Sequence, residues 1–383
     1  MRIFVISHGY PTPQSPQWGC FEKDQAEALA ALGHEVVMIS FDGRLRRPWN
    51  KIGISKHYAN GVHAYEYALI PTPFWGKLTG GIRHNYSCWL LDKAYKRAVK
   101  DWGTPDILYS HFLNLTYKAL YLKKKYHLPL VGVEHWSEIN KPVLKEEVTK
   151  MGRQTYSHLD GLIAVSSSLQ EKIKEHFGQE SIVVHNTFSN EFFYQKKEST
   201  DMLRLITTGS LIPIKGQDVL ISALAKTHFS DNQWQLTIIG EGEERQNLEQ
   251  LIVDNKLEQN VLLVGRKCKE DIAKALQKSD VYIQPSRNEN FSVAVLEALA
   301  CGLPVVATIC GGIQECINES NGRLFPVDDV DALAEILTDM AVNLSKYDRQ
   351  AIADDCQRRF GTKVIAQQIT RVLEDAIKKY KEI

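Results

Sequence analysis

The chain has 383 residues, of which 44% are hydrophobic and 24% are charged. This composition is typical of a globular protein with up to three domains, and it excludes a disordered chain, a collagen-like chain and a disulfide-stabilised miniprotein. The 46 Lys+Arg balance the 46 Asp+Glu, so there is no basic excess of the kind that accompanies nucleic-acid binding.

Short apolar, β-branched runs alternate with amphipathic stretches of helical length along the chain. The predicted strands are 3–7, 35–40, 106–110, 129–134, 161–166 and 181–184 in the first half, and 203–209, 235–240, 261–265, 280–285 and 304–308 in the second. The clearest helical patterns are 22–32, 219–226, 244–253, 271–277, 293–300 and 363–383. Strands that alternate with helices predict parallel sheets covered on both faces.

The pattern occurs twice, which predicts an α/β protein with two doubly wound, Rossmann-like domains. We place an N-terminal domain at 1–195 and a C-terminal domain at 196–363, because the linker region 195–201 is polar and lacks periodicity. Ligands of such sheets bind beyond the carboxyl ends of the strands, so we expect a ligand in a cleft between the domains.

Seven scattered cysteines, without a C-x-x-C pair, favour reduced thiols in a cytoplasmic protein. The apolar run 3–6 is too short for a signal peptide, and no apolar run approaches the length of a membrane span.

The segment 286–304 carries the residues best suited to binding a phosphorylated ligand. It follows a predicted strand, Ser292 is a candidate N-cap, and Gly302 ends the predicted helix. The N–H groups at a helix start favour a phosphate, and a carboxylate such as Glu297 can accept hydrogen bonds from vicinal hydroxyls. Glu289 lies in the loop before the helix, eight residues from Glu297. The spacing of the two glutamates is weak evidence for a site on its own, because such pairs arise by chance on a solvated helix face.

Together with its neighbours, this placement resembles the retaining GT-B glycosyltransferases of family 4. Their Glu-x7-Glu segment matches 285–308, followed by Gly311-Gly312-Ile313-Gln314-Glu315. The stretch 209–216 is similar to the phosphate loop of that family, and 261–265 is similar to its base-contacting strand. The resemblance extends over essentially the whole chain. It implies transfer of a hexose from a nucleoside diphosphate sugar, most often of UDP or GDP, without a metal or other cofactor.

The resemblance also implies roles for individual residues. Glu289, Lys215 and His135 would be catalytic: Glu289 would lie beside the donor sugar, Lys215 would neutralise the leaving diphosphate, and His135 would contact the transferred sugar. The donor would be bound by Gly19, Ser210, Lys215, Gly265, Arg266, Asn290, Phe291, Ser292, Val293 and Glu297. Many members have Arg where this chain has Ser210, so either Ser210 bonds the diphosphate through its hydroxyl or another arginine, Arg266 or Arg287, supplies the second cation. The final helix, 364–383, is expected to pack back on the first domain.

Three other interpretations remain open. Asp329-Val330-Asp331 fits the metal-binding Asp-x-Asp of a different glycosyltransferase fold, although a helix-capping role is favoured. Gly240 and Gly242 form only part of the dinucleotide-binding fingerprint of dehydrogenases. A catalytically inactive nucleotide-sugar-binding partner of a glycan assembly complex would keep the same residues.

The balanced charge hides an uneven distribution. Residues 1–190 hold 23 Lys+Arg against 17 Asp+Glu, and the stretch from Arg44 to Lys100 holds eleven basic residues against two acidic ones. Its basic residues are interleaved with the aromatic residues Trp49, Phe74, Trp75, Tyr86 and Trp89. A solvated face explains such a run equally well. The alternative is a surface for anionic membrane or a lipid-linked glycan acceptor, which would place the protein on the inner face of the cell membrane.

Overall fold

The structure is a computed structural model, and it describes residues 1–11, 18–42, 53–68, 80–197, 202–227, 229 and 233–382. Two compact units make up the chain, one of Met1–Asn186 with Thr362–Ile383 and the other of Thr187–Gly361. Each unit is an α/β domain built on its own sheet, which is the architecture that the alternating pattern predicts.

The first unit has an eight-stranded sheet of order β3-β4-β2-β1-β5-β6-β7-β8, parallel except for the pair β3–β4. Its strands are β1 (Arg2–Ile6), β2 (Glu35–Asp42), β3 (Gly53–Ala59), β4 (Val62–Ala68), β5 (Ile107–His111), β6 (Leu130–Glu134), β7 (Gly161–Ala164) and β8 (Ile182–Val183). Its helices are α1 (Cys20–Ala31), α2 (Gly80–Trp102), α3 (Leu113–Tyr126), α4 (Glu146–Tyr156), α5 (Ser167–Phe177) and, from the end of the chain, α12 (Thr362–Glu382).

The central strands of this sheet are buried along their whole length. All five residues of β5 and all five of β6 are buried, as expected for parallel strands with helices on both faces. The hairpin β3–β4 was not among the predicted strands. Residues of β3 alternate between half-buried and exposed, so this edge strand lacks the continuous apolar run that marks the central strands.

The second unit has a six-stranded parallel sheet of order β11-β10-β9-β12-β13-β14. Its strands are β9 (Leu203–Thr208), β10 (Trp234–Ile239), β11 (Val261–Leu263), β12 (Val281–Gln284), β13 (Val305–Thr308) and β14 (Gly322–Phe325). Its helices are α6 (Gln217–Leu224), α7 (Arg245–Asp254), α8 (Lys269–Lys278), α9 (Val293–Ala300), α10 (Val330–Asn343) and α11 (Arg349–Phe360).

The boundary between the units lies before the predicted linker. The contacts divide the chain after Asn186 and again after Gly361, rather than at 195/196 and 363/364. Phe188 and Phe192 explain the difference, since both are buried in the second unit and Gln277 Nε2 donates a hydrogen bond to the carbonyl of Phe193. Residues 198–201 of the predicted linker lie outside the described residues.

The last helix, α12, groups with the first unit. It buries an apolar face that includes Ile365, Ile369 and Leu373, and Thr370 Oγ1 lies 2.9 Å from His34 Nε2 at the turn before β2. The apolar periodicity of 363–383 therefore marks a helix that packs on the N-terminal sheet.

No helix among the described residues is long and apolar enough to cross a membrane. All seven cysteines lie in the described part of the chain, and none of them forms a disulfide.

Candidate active site

Three loops of the second unit lie side by side at the carboxyl ends of β9, β10 and β12. Glycines allow their close approach: a Cβ at Gly216 would lie 2.0 Å from the carbonyl oxygen of Pro285, and one at Gly240 would lie 1.8 Å from that of Gly209. A side chain at either position would clash with backbone. The predicted phosphate loop 209–216, which includes Ser210, is therefore packed directly against the start of the Glu-x7-Glu segment.

Lys215 and Glu289 meet between two of these loops. Lys215 Nζ donates to Glu289 Oε1 in a salt bridge whose side chains are 26% and 13% exposed. The same oxygen accepts from Ser286 Oγ at 3.0 Å and from Gln284 Nε2 at 3.2 Å. The carboxylate is thus held in one orientation by three donors, which is the kind of preorganisation that catalysis by fixed charges requires.

A further turn supports the backbone of this loop. A Cβ at Gly311 would lie 1.6 Å from the carbonyl oxygen of Glu289, and Gly312 N donates to the carbonyl of Asn290 at 3.0 Å. The Gly-Gly of the motif therefore fixes the segment that carries the first glutamate.

Helix α9 begins as the sequence predicts. The Ser292 hydroxyl accepts from the backbone N–H of Val295 at 3.4 Å and caps the helix. Phe291 is buried, and its ring lies 5.8 Å from that of Phe360. The side chains of Ser292 and Phe291 thus have structural roles, and the predicted contact with a donor falls to the backbone N–H groups at the start of α9, near Asn290 and Val293.

Glu297 lies on α9 and is partly exposed. Burial raises the pKa of Tyr282, and the negative charges of Glu297 and Glu289 contribute further to this shift. Both signature carboxylates are thus near the Tyr282 hydroxyl, which bonds to Gln284 Oε1 at 2.7 Å.

Arg287, one of the residues predicted to supply a second cation, is engaged by two carboxylates in this structure. Its Nη1 and Nη2 bond to the two carboxylate oxygens of Asp218 at 3.0 and 2.7 Å, and its Nε bonds to Asp328 at 2.7 Å. These partners raise the pKa of Arg287, chiefly through the hydrogen bond to Asp218. A bidentate guanidinium with a further carboxylate partner is a clamp between loops, so Arg266, which is exposed, stays as the candidate.

Gly265 and Arg266 follow β11 in the neighbouring loop. Gly265 has a φ of 75°, and its carbonyl oxygen accepts from Gly240 N at 3.1 Å. Its backbone is thus linked to the loop that supports Gly209, which places the predicted base-contacting strand beside the phosphate loop.

The two competing motifs have structural roles. Asp329 Oδ1 accepts from Ala332 N at 2.9 Å and caps α10, and Asp331 pairs with Lys226. A Cβ at Gly242 would lie 2.1 Å from the carbonyl oxygen of Leu211, so this glycine also serves loop packing. No group of three or more metal-ligating side chains occurs among the described residues.

In the first unit, Gly19 and His135 lie at the carboxyl edge of the sheet. Gly19 has a φ of 74°, and a Cβ there would lie 2.2 Å from the carbonyl oxygen of Gly9. It precedes α1, whose Phe21 ring lies 5.2 Å from that of His135. The close contact that the structure shows at Gly19 is with the backbone of Gly9, in the same loop; the predicted contact with a donor stays a prediction.

His135 follows β6 directly and is partly buried. Desolvation, with a smaller contribution from nearby His8, lowers the pKa of His135 to about 3, so the imidazole is neutral. Its Nε2 lies 3.0 Å from Nδ1 of His111, a fully buried residue. Glu134 Oε1 accepts from the backbone N–H groups of His135 and Trp136 at 2.9 and 2.7 Å, which fixes the turn that presents the imidazole.

Sequence reasoning missed several partners of the predicted residues. Gln284 and Ser286 orient Glu289, and His111 orients His135. Each lies at or just after the carboxyl end of a strand, where ligands of parallel sheets bind. A polar residue that interrupts a buried strand, such as Gln284 after Val281-Tyr282-Ile283, was the available signal.

Comparison with known families agrees with this arrangement in both units. Residues 188–353 match the model described as glycosyl transferases group 1, and residues 23–191 match the model described as glycosyltransferase family 4. The chain belongs to the group 1 glycosyltransferases of family 4.

Relatives of this glycosyltransferase extend over nearly all of its length. It is 27% identical over 375 residues to glycogen synthase from Mycobacterium tuberculosis, a match that covers 92% of this chain and 89% of that enzyme. Sucrose-phosphate synthase from Thermosynechococcus elongatus has the same fold, with a TM-score of 0.78, 19% identity and 99% of both chains covered. HepE from Anabaena, solved in complex with UDP-glucose, aligns with a TM-score of 0.74, 20% identity and coverage of 98% and 99%. The fold is therefore GT-B.

Proposed function

We propose that this glycosyltransferase transfers a hexose from a nucleoside diphosphate sugar, with retention of anomeric configuration and without a metal ion. The observation that carries the proposal is the contact between Lys215 and Glu289, which joins the phosphate loop to the Glu-x7-Glu segment. A relative of the same fold binds UDP-glucose, which supports a donor of this class with UDP or GDP as the nucleotide.

Lys215 and the N–H groups at the start of α9 stabilise the diphosphate as it leaves the sugar. Cleavage of the bond between the sugar and the diphosphate leaves negative charge on the phosphate oxygens. A fixed cation and helix N–H groups stabilise that charge. In this assignment Lys215 and Arg266 contact the diphosphate, aided by Ser210.

The two glutamates have separate roles. Glu289, held by three donors, accepts hydrogen bonds from hydroxyls of the donor sugar and positions its anomeric carbon. Glu297, eight residues later on α9, accepts from the ribose hydroxyls of the nucleotide. His135, neutral at physiological pH, hydrogen-bonds the transferred sugar without adding charge.

The acceptor is a glycan or lipid-linked glycan of a surface polysaccharide or other glycoconjugate. The described part of the basic stretch supports this proposal. On α2, Trp89 is 46% exposed, Lys93 Nζ lies 5.3 Å from the centre of its ring, and Lys96 and Lys100 are exposed. Trp49, Phe74 and Trp75 lie outside the described residues.

A panel of UDP-, GDP- and ADP-sugars tests the proposal. We expect slow release of the nucleoside diphosphate from one of them, in the presence of EDTA and without an added acceptor. Saturable binding without hydrolysis or transfer would favour the alternative, an inactive nucleotide-sugar-binding partner. Binding of none of the nucleotide sugars would contradict both.

A further inference from the structure

In the first turn of α1, the first unit carries a buried carboxylate, that of Glu22. Glu22 is 1% exposed, and its Oε1 lies 3.4 Å from His8 Nδ1 and 3.5 Å from the His8 backbone nitrogen. Its Oε2 is also buried and has no hydrogen-bond partner among the residues that the structure describes. A buried carboxylate oxygen without a donor is costly, which indicates that a ligand supplies the missing hydrogen bond.

Two aromatic residues contact His8. Trp18 Nε1 donates to the carbonyl of His8 at 2.9 Å, and the Phe112 ring lies 4.2 Å from the His8 imidazole. Phe112 has a φ of 63° and a ψ of 141°, a conformation that residues other than glycine rarely adopt. Such strain persists where the surrounding structure holds it, often at a ligand site.

The charged groups around Glu22 help to decide whether a phosphate or a hydroxyl fits beside it. The neighbouring histidines, His111 and His135, are neutral because burial lowers the pKa of each. Lys23, the next residue along α1, pairs with Glu27. The carboxylate of Glu22 repels an anion at contact distance, so a hydroxyl, which can donate to Oε2, fits this oxygen better than a phosphate.

We propose that Glu22 and His8 bind the hydroxyl groups of an uncharged sugar, the reacting end of the acceptor. Glu22 Oε2 accepts from one hydroxyl, and His8 holds the carboxylate in place. This assignment rests on the proposed function, and it adds that the acceptor carries no phosphate on the sugar that reaches this edge.

The test uses the donor found with the nucleotide-sugar panel. Transfer is measured to the methyl glycosides of glucose, galactose, mannose and N-acetylglucosamine, and to the corresponding 6-phosphates. We expect transfer to at least one uncharged sugar and none to its phosphate. Glu22→Gln should raise the KM for that acceptor about ten-fold, as loss of a hydrogen bond to a charged group does, with the KM for the donor within about two-fold.

Glu27→Gln is the matched control, because Glu27 lies on the same helix and pairs with Lys23; it should change neither KM. If Glu22→Gln lowers the melting temperature, His8→Asn repeats the test at a partly exposed position. Preference for a phosphorylated sugar, transfer to no sugar of the panel, or an unchanged acceptor KM in the folded variants would overturn the assignment. Failure of the wild type to hydrolyse any nucleotide sugar would instead defeat the proposed function.

Discussion

At the scale of single residues, the pair Lys215–Glu289 is the most direct link between structure and chemistry. Lys215→Met removes the cation assigned to the leaving diphosphate and should lower kcat by about 10²-fold, the usual effect of losing one group that stabilises developing charge. Release of the nucleoside diphosphate measures this.

Lys226→Met is the control for that substitution. Lys226 also pairs with a carboxylate, Asp331, but on the exposed surface of the same unit, where such a pair contributes little. Equal rates for the two variants would refute the role of Lys215.

The buried histidines predict how stability depends on pH. Burial holds the pKa of His135 near 3, whereas an unfolded histidine has a pKa of about 6.5. Between these values the unfolded state binds more protons, so stability is fully present above pH 6.5 and falls as the pH drops. Each such histidine should lower the free energy of unfolding by about 1.4 kcal/mol for each unit by which the pH falls in this range.

Denaturant unfolding between pH 6.5 and pH 4.5 tests this dependence. His135→Asn should reduce the slope of unfolding free energy against pH by the contribution of one histidine. His158→Asn, at an exposed position, should leave the slope unchanged. If the slope for His135→Asn equals that of the wild type, the lowered pKa of His135 is contradicted.

At the scale of elements, the phosphate loop depends on glycine for packing as well as for backbone conformation. Gly216 precedes α6 and Gly178 follows α5, and each has a φ near 67°. A Cβ at Gly216 would meet the backbone carbonyl of Pro285, whereas a Cβ at Gly178 would meet no atom within 4 Å. Both Gly→Ala variants bear the backbone strain, of order 1 kcal/mol.

Gly216→Ala should destabilise its unit by a further 1–3 kcal/mol or so, the usual effect of overpacking, and should lower turnover by displacing Lys215. Thermal unfolding and the rate of nucleoside diphosphate release measure both effects, with Gly178→Ala as the control. The same loss of stability in both variants, with turnover intact, would contradict the close packing of these loops.

The elements that sequence predicted best are the buried parallel strands. Strands such as β1 and β13 contain continuous apolar runs, at residues 3–6 and 305–307, because both faces are covered. The Ser292 cap of α9 follows from local hydrogen bonding. The hairpin β3–β4 was missed because its edge strand alternates in exposure, and the boundary at 186/187 was missed because Phe188 and Phe192 pack in tertiary contacts that periodicity does not report.

In the site, too, local sequence predicted some residues, whereas tertiary contacts determine others. Glu289, Lys215 and Glu297 were predicted from linear motifs. The orienting donors Gln284 and Ser286 could not be, because they depend on which side chains converge on Glu289 Oε1. The pairing of Arg287 with Asp218 could not be predicted either, because Asp218 lies 69 residues away in sequence.

At the scale of the whole molecule, the uneven charge predicts association with anionic membranes. The wild type should co-sediment with liposomes that contain anionic lipid, and binding should weaken with added salt because the attraction is screened. Replacing Trp89 and Lys93 by Ala should reduce binding, whereas Lys174→Ala, at an exposed position on α5, should not. Absence of binding at every salt concentration would contradict this interpretation of the basic stretch.

The most direct test of the proposed mechanism is the anomeric configuration of the product. With the donor identified, proton NMR of the transferred sugar, recorded as the reaction proceeds in EDTA, reports the configuration at the anomeric carbon. The proposed arrangement of Lys215, Glu289 and the α9 N–H groups predicts retention at a rate that EDTA does not lower. Inversion of configuration, or loss of turnover in EDTA that added Mg²⁺ or Mn²⁺ restores, would contradict it.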